Sequence, residues 1–358
     1  MTLAPARPGR EAPRPRVNLY SDTQTLPGAA MRRAMAEAEV GDEQLAADPT
    51  INALCDRVAA LLGKEAAMFL PSGTMCNEIA VLTHCRPGDE ILGHEDCHLI
   101  TAEGGAPWAL AGARVRGLAG ARGQFDAPTL AAALTPASRY APPQTLVAVE
   151  QTANLGGGSV WPLARLRDIA ALAHAHGMAT HMDGARLMNA VVAGGVPAAE
   201  MAAGYDSVWL DFTKGLGAPL GAVLAGSAAF IDAAWRWKQR LGGALRQGGM
   251  AAAGCLYALD HNIERLAEDH ANAARLARGL ATLPGLAVEP PETNLVFIDT
   301  RGTGQKAAPL GARLGAAGVA LSAMGEWRLR AGLHLDVDAE AVDLAIALIG
   351  EALGRPNS

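Results

Sequence analysis

Between residues 28 and about 256 the chain switches repeatedly between strand-like apolar runs and stretches of helical periodicity, and no other feature limits its possible folds so strongly. A strand that reaches the next through a helix returns parallel to it, so such units build a mostly parallel sheet covered by helices on both faces. The strand candidates are "AAMFL", "DEILGHE", "TLVAVEQ", "MATHMDG", "SVWLDF" and "GAVLAG", with "LARLRDIAALAHAHG" among the intervening helices. The plainest helix is "ADPTINALCDRVAALLGKE". Asp48 caps it, Pro49 enters its first turn, Ile51, Leu54, Val58, Leu61 and Leu62 form its apolar stripe, and Gly63 stops it. After about residue 256 the pattern changes to a long polar helix, "LDHNIERLAEDHANAARLARGLATL", then "NLVFIDT", a helix near 306–317, "VALSAM", "WRLRAGLHLD" and a final helix. That order reads as a smaller α+β unit. The expected division is a disordered leader over 1–16, a large unit over 17–255 and a small C-terminal unit over 256–358.

Composition narrows the function classes. The 358 residues hold 30 lysines and arginines against 36 aspartates and glutamates, a net charge of −6 that offers no basic footprint for nucleic acid. Five cysteines without a CxxC pair suggest neither a disulfide framework nor a structural zinc, and fit a reducing cytoplasm. The proline-rich start, "MTLAPARPGREAPRPR", lacks the apolar segment of a secretory signal, and no run of about eighteen apolar residues predicts a membrane span. Small-molecule chemistry is the expectation.

In open α/β sheets, ligands gather beyond the carboxyl ends of the strands, and three of this chain's turns at such places carry unusual polar groups. In "PSGTMCN", Ser72, Gly73 and Thr74 open a helix and offer amides and hydroxyls to an anion. In "HMDGARLMNA", Asp183 closes a strand with Arg186 three residues on, and in "SVWLDFTKGLGAPLG" Thr213 and Lys214 follow another strand before a glycine-rich stop. Taken singly these are an ordinary helix cap, a turn aspartate paired with its arginine, and a solvated lysine. Together, a phosphate-binding turn, an acid and a lysine at strand ends are the parts of a pyridoxal phosphate site.

The segments "NLYSDTQTLPGAAMRRAMAEAEVGDE", "DPTINALCDRVAALLGKEAAMFLPSGTMCNEIAVLTHCRPGDE", "HMDGARLMNAVV", "TKGLGAPLGAVL", "RQGGMAAAG", "ERLAEDHANA" and "RAGLHLDV" resemble those of the low-specificity L-threonine aldolases, pyridoxal phosphate enzymes of the aspartate aminotransferase fold. The resemblance runs from about residue 17 to the C-terminal helix. It implies an α/β large domain with a mostly parallel seven-stranded sheet between helices, plus the smaller C-terminal α+β domain. It implies that Lys214 is the amine that binds the cofactor covalently, that Asp183 faces the pyridine nitrogen, and that His98 lies over the ring. Gly73, Thr74 and Thr213 would hold the phosphate, with Arg246 reaching it from a neighbouring subunit of a homotetramer built as a pair of dimers. Ser21, Arg186 and Arg330 would hold the substrate α-carboxylate, with Arg186 also beside the cofactor. His98, or a water it holds, would take the β-hydroxyl proton as an L-β-hydroxy-α-amino acid splits into glycine and an aldehyde. β-Elimination or aldol transfer on a β-substituted amino acid draws on the same chemistry and stays open.

Some positions depart from the family pattern. Ala153 in "EQTAN" stands where the resemblance implies histidine, and Leu45 and Ala46 in "EQLAADPT" where it implies a Tyr-Gly pair. Either the pocket is roomier and less polar, favouring substrates such as phenylserine, or neighbouring side chains fill the space.

Overall fold

The computed structural model describes residues 14–354. Of the expected leader over 1–16, residues 1–13 lie outside the described part. Strand β1 (Val17–Asn18) is followed by β2 (Ala66–Leu70), β3 (Glu90–His94), β4 (Arg114–Leu118), β5 (Gln144–Glu150), β6 (Ala179–Asp183), β7 (Ser207–Asp211) and β8 (Ala222–Gly226). The last seven form one sheet in the order β2-β8-β7-β6-β5-β3-β4. Only β8 runs against its two neighbours, so the sheet is mostly parallel as the alternation predicts. Strands β3, β7 and β8 are buried along their whole length, with apolar centres such as Val208–Leu210 and Val223–Leu224. Strand β4, "RVRGL", was not anticipated: it is the sheet's edge, and its arginines at 114 and 116 hide the apolar alternation.

The capped helix is Pro49–Leu62, with Asp48 accepting from the Ile51 amide at 3.0 Å and Gly63 closing it at φ 63°. Such a cap is worth about 1 kcal/mol. Leu54, Val58 and Leu62 press its inner face into the core beneath the sheet.

The C-terminal part holds β9 (Ala287–Val288), β10 (Leu295–Asp299), β11 (Val319–Ala320), β12 (Ser322–Ala323) and β13 (Arg328–Gly332). An antiparallel sheet β12-β13-β10-β9 packs with helices Leu266–Leu280, Ala307–Ala316 and Ala339–Gly354 around a second core. Two expectations are corrected here. The single long polar helix is two, Gly249–His261 and Leu266–Leu280, because Asn262 leaves the helix and its Nδ2 donates to the Leu216 carbonyl at 2.7 Å. "VALSAM" is split, since Val319 and Ala320 pair with β1 while Ser322 and Ala323 turn to β13. Val17 and Leu19 accordingly seal the second core rather than the first.

Candidate functional site

A cavity of about 450 Å³ opens beyond the carboxyl ends of the central strands and is roofed by Tyr20, Ser21, Ser322, Ala323 and Met324. Three adjacent strands end on an acid that faces it: Glu150 on β5, Asp183 on β6 and Asp211 on β7. The sequence reading singled out only Asp183. The other two were legible as strand-final carboxylates in otherwise apolar runs.

The three acids have different partners. Asp211 binds Lys214 Nζ at 2.8 Å and accepts from Thr213 Oγ1 at 2.9 Å. Lys214 is therefore an ion-paired amine; its side chain is 20% exposed, toward the cavity it lines. Glu150 accepts from the backbone amides of His98 at 2.8 Å and Asn154 at 2.7 Å. Burial, with the Asp183 charge next to it, pushes its carboxyl up to about 7. Asp183 accepts from Asn77 Nδ2 and from the Ala185 amide, both at 2.9 Å. Burial raises its pKa, opposed by the His98 charge and those hydrogen bonds.

His98 Nδ1 meets Glu103 Oε1 at 2.5 Å. Burial alone would lower the imidazole pKa, but the Glu103 hydrogen bond and the charges of Asp183, Glu103 and Glu150 outweigh it and raise the pKa. With Nδ1–H committed to Glu103, Nε2 is the nitrogen left for a ligand.

The two arginines divide the work differently than expected. Arg186 Nε and Nη2 clasp Asp22 in a fork, each bond 2.7 Å, and both residues are buried. Asp22, not Asp183, is thus the arginine's partner, and this fork takes two of the nitrogens expected to meet a carboxylate. Asp22 also receives Asn294 Nδ2 at 2.9 Å, and its pKa is lowered: burial alone would raise it, but the Arg186 charge and hydrogen bonds outweigh that. Among the described residues Arg330 has no such acid. Its Nη1 donates to Asn154 Oδ1 at 2.8 Å, and its buried Nε has no partner. It is the lining guanidinium best placed to take an anion.

Gly73 and Thr74 open the helix Gly73–His84 at the cavity, Ser72 capping it through the Met75 amide, and the first amides of any helix lack helical acceptors. A Cβ on Gly73 would fall 2.1 Å from the Trp209 indole, so only glycine lets backbone and ring approach this closely. Ser21 and Thr213 line the cavity as expected, whereas Arg246 does not: it lies on a surface loop, 64% exposed, paired with Asp42 at 3.0 Å. Ala153 is not in the lining either. It is buried in a bridge with Ser159 and sits where a Cβ on Gly123 would touch it at 2.7 Å, so its small size leaves no extra room in the cavity. Leu45 points outward, 77% exposed.

Glu78, one residue beyond Asn77, is buried with neither carboxyl oxygen hydrogen-bonded among the described residues. Burial, then the nearby Glu103 charge, pushes it from 4.5 up to about 8. Over that window the folded chain holds a proton that the unfolded chain has lost, so stability falls as pH rises. Glu78→Gln should accordingly raise the melting temperature clearly at about pH 8.5 and much less near about pH 4.5. Equal shifts at both pH values would contradict a neutral Glu78.

Residues 18–303 match the beta-eliminating lyase family. The low-specificity L-threonine aldolase 1 of Arabidopsis thaliana is 36% identical over 344 residues, 94% of this chain and 96% of its own. Among solved structures, the Leishmania major threonine aldolase superposes with a TM-score of 0.81 at 20% identity, over 94% of this chain and 100% of that one. The aspartate aminotransferase of Rhizobium meliloti gives 0.69 at 17% identity, over 95% and 92%.

Proposed function

We propose, for a chain that belongs to the beta-eliminating lyase family, that it is a carbon–carbon lyase of the threonine aldolase type, which splits L-β-hydroxy-α-amino acids into glycine and an aldehyde. The observation that carries this reading is the gathering in one cavity of Lys214, Asp183, His98 and Arg330, drawn from both parts of the chain. The lining also suits pyridoxal phosphate as the cofactor. A helix start bared by Gly73 suits the phosphate, buried Asp183 a protonated ring nitrogen, and Lys214 the aldehyde carbon. When bound, that group supplies an electron sink for the pair released as the Cα–Cβ bond breaks.

The chain's own residues do the rest. Arg330 holds the substrate carboxylate, assisted by Ser21 and by whatever reach Arg186 keeps outside its Asp22 fork, and so fixes which bond at Cα stands ready to break. His98 Nε2 takes the β-hydroxyl proton; the imidazolium formed is stabilised by Glu103, Asp183 and Glu150. The C–O bond becomes the aldehyde carbonyl as the Cα–Cβ bond breaks, and a proton returned to Cα completes glycine.

The assay is product analysis on the cofactor-loaded protein with threonine, allo-threonine and phenylserine. Glycine plus the matching aldehyde is expected, and ammonia plus a keto acid in place of glycine would instead indicate β-elimination. Because Ala153 opens no space at the cavity, no large preference for phenylserine is expected.

The division into a 17–255 cofactor-holding unit and a 256–358 unit belongs to the same proposal, with Val17–Leu19 packing on the second unit's core. So does a cytoplasmic homotetramer in which exposed Arg246 reaches a neighbour's phosphate. Exposed Trp108, Leu110 and Met250 support burial between subunits. A monomer fully active at high dilution would count against it.

A further inference from the structure

Behind the cavity wall, Asn77 on the helix Gly73–His84 is fully buried, and all of its amide's hydrogen-bonding positions are filled. Oδ1 lies 2.7 Å from Trp209 Nε1 and 3.0 Å from His181 Nε2, while Nδ2 lies 2.9 Å from both Asp183 Oδ2 and Glu103 Oε1. An indole N–H only donates, so the amide atom it meets must be the oxygen, and the NH₂ must face the two carboxylates. That oxygen only accepts, so His181 carries its proton on Nε2. The neutral ring then offers a lone pair at Nδ1, which takes the Ser207 hydroxyl at 2.8 Å. Ser207 Oγ, having donated, accepts from His84 Nε2 at 2.8 Å. The pairing of β6 with β7 sets His181 directly beside Ser207.

His84 stacks on Phe230 and borders a cleft with His174 and Asp206 at the opposite ends of the strands from the cavity. Every hydrogen along the chain therefore points from that cleft toward Asp183 and Glu103. Burial keeps both rings neutral: it pushes His84 down to about 4 and is the largest cause that pushes His181 down to about 3.

We propose that Asn77 is a positioning residue that ties Asp183 and the Glu103–His98 pair into one oriented network, and that the chain His84–Ser207–His181 locks Asn77 in its working orientation. Bonds aligned head to tail polarise one another, so Asn77 presents a stronger donor to Asp183 than an amide free to turn. That donor favours the ionised carboxylate which burial opposes, in a setting that also includes His98, Glu150 and Lys214. The same amide keeps Glu103 aimed at His98 Nδ1. The inference rests on the reading of Asp183 and His98 given under Proposed function.

Two measurements test it. Long-range ¹H–¹⁵N spectra of the histidine rings, in the protein with and without pyridoxal phosphate, should show His181 and His84 as neutral Nε2–H tautomers throughout about pH 6 to 9. A proton on His181 Nδ1 would overturn the chain whatever the enzyme catalyses. Ser207→Ala cuts the chain without touching the cavity. It should lower kcat roughly tenfold, about 1.4 kcal/mol in the barrier, and shift the pH midpoint of the bound cofactor's visible absorbance, with KM within about twofold. Ser207→Thr, which keeps the hydroxyl, should recover most of both. An unchanged kcat and midpoint in Ser207→Ala would refute the locking role. If the wild type forms no glycine, the aldolase reading fails, while the ring spectra still decide the network.

Discussion

Lys214→Ala should bring glycine formation to background and remove the covalent adduct that borohydride fixes between protein and cofactor, while leaving the melting temperature close to that of the wild type without cofactor. Among the described residues the amine is the one lysine that lines the cavity; it pairs with Asp211 at 2.8 Å and lies 5.8 Å from the centre of the Trp209 ring. Its loss removes a nucleophile that no neighbouring group replaces. Its removal also leaves Asp211 short of a partner, but the Thr213 hydroxyl still donates to that carboxylate, so the fold cost is small beside the loss of activity. A reduced adduct found on another lysine would overturn the assignment.

Asp183→Ala should separate binding from turnover. The adduct with Lys214 still forms, because nothing at Lys214 has changed, yet kcat should fall about a hundredfold or more, the scale of losing a fixed charge from a water-poor site. Asp183 accepts from Asn77 and the Ala185 amide, so the variant also strands two buried donors, and some loss of stability accompanies the effect. Asp183→Asn fills the same space without the charge and distinguishes the two causes. Near-normal turnover by either variant would contradict the role given to the carboxylate.

Much of this architecture is legible because strong local signals agree with the global arrangement. Asp48, Pro49 and Gly63 delimit one helix, and the apolar runs ending at Glu150, Asp183 and Asp211 are the strands that carry the site. Lys214 stood out because a charge in an apolar run before glycines has few structural uses. What escaped was what depends on distant partners. Arg186 has Asp183 beside it in sequence, but its fork closes on Asp22, 164 positions away. Asn77 sits inside a segment read for its serine, glycine and threonine, and His84, Ser207 and His181 show no spacing that joins them. Their meeting is set by strand register and by which face of one helix turns toward the sheet. Edge strand β4 escaped for the opposite reason, its long polar stems masking a short alternation.

The pairing of Val17–Asn18 with Val319–Ala320 bears on how the protein is made. A nascent chain that has left the ribosome through residue 290 already owns the three strand-end acids, His98 and Lys214, but its first strand has nothing to zip onto. Ser21 then hangs from an untethered end, and Ser322 and Arg330 do not yet exist. The roof closes only when residues 319–330 emerge, so the side of the cavity that carries Ser322 and Arg330 is completed last, after the strand ends that hold Asp183 and Lys214. Premature termination after residue 300 would yield a chain with all seven strands of the main sheet but an open cavity that lacks Ser322 and Arg330.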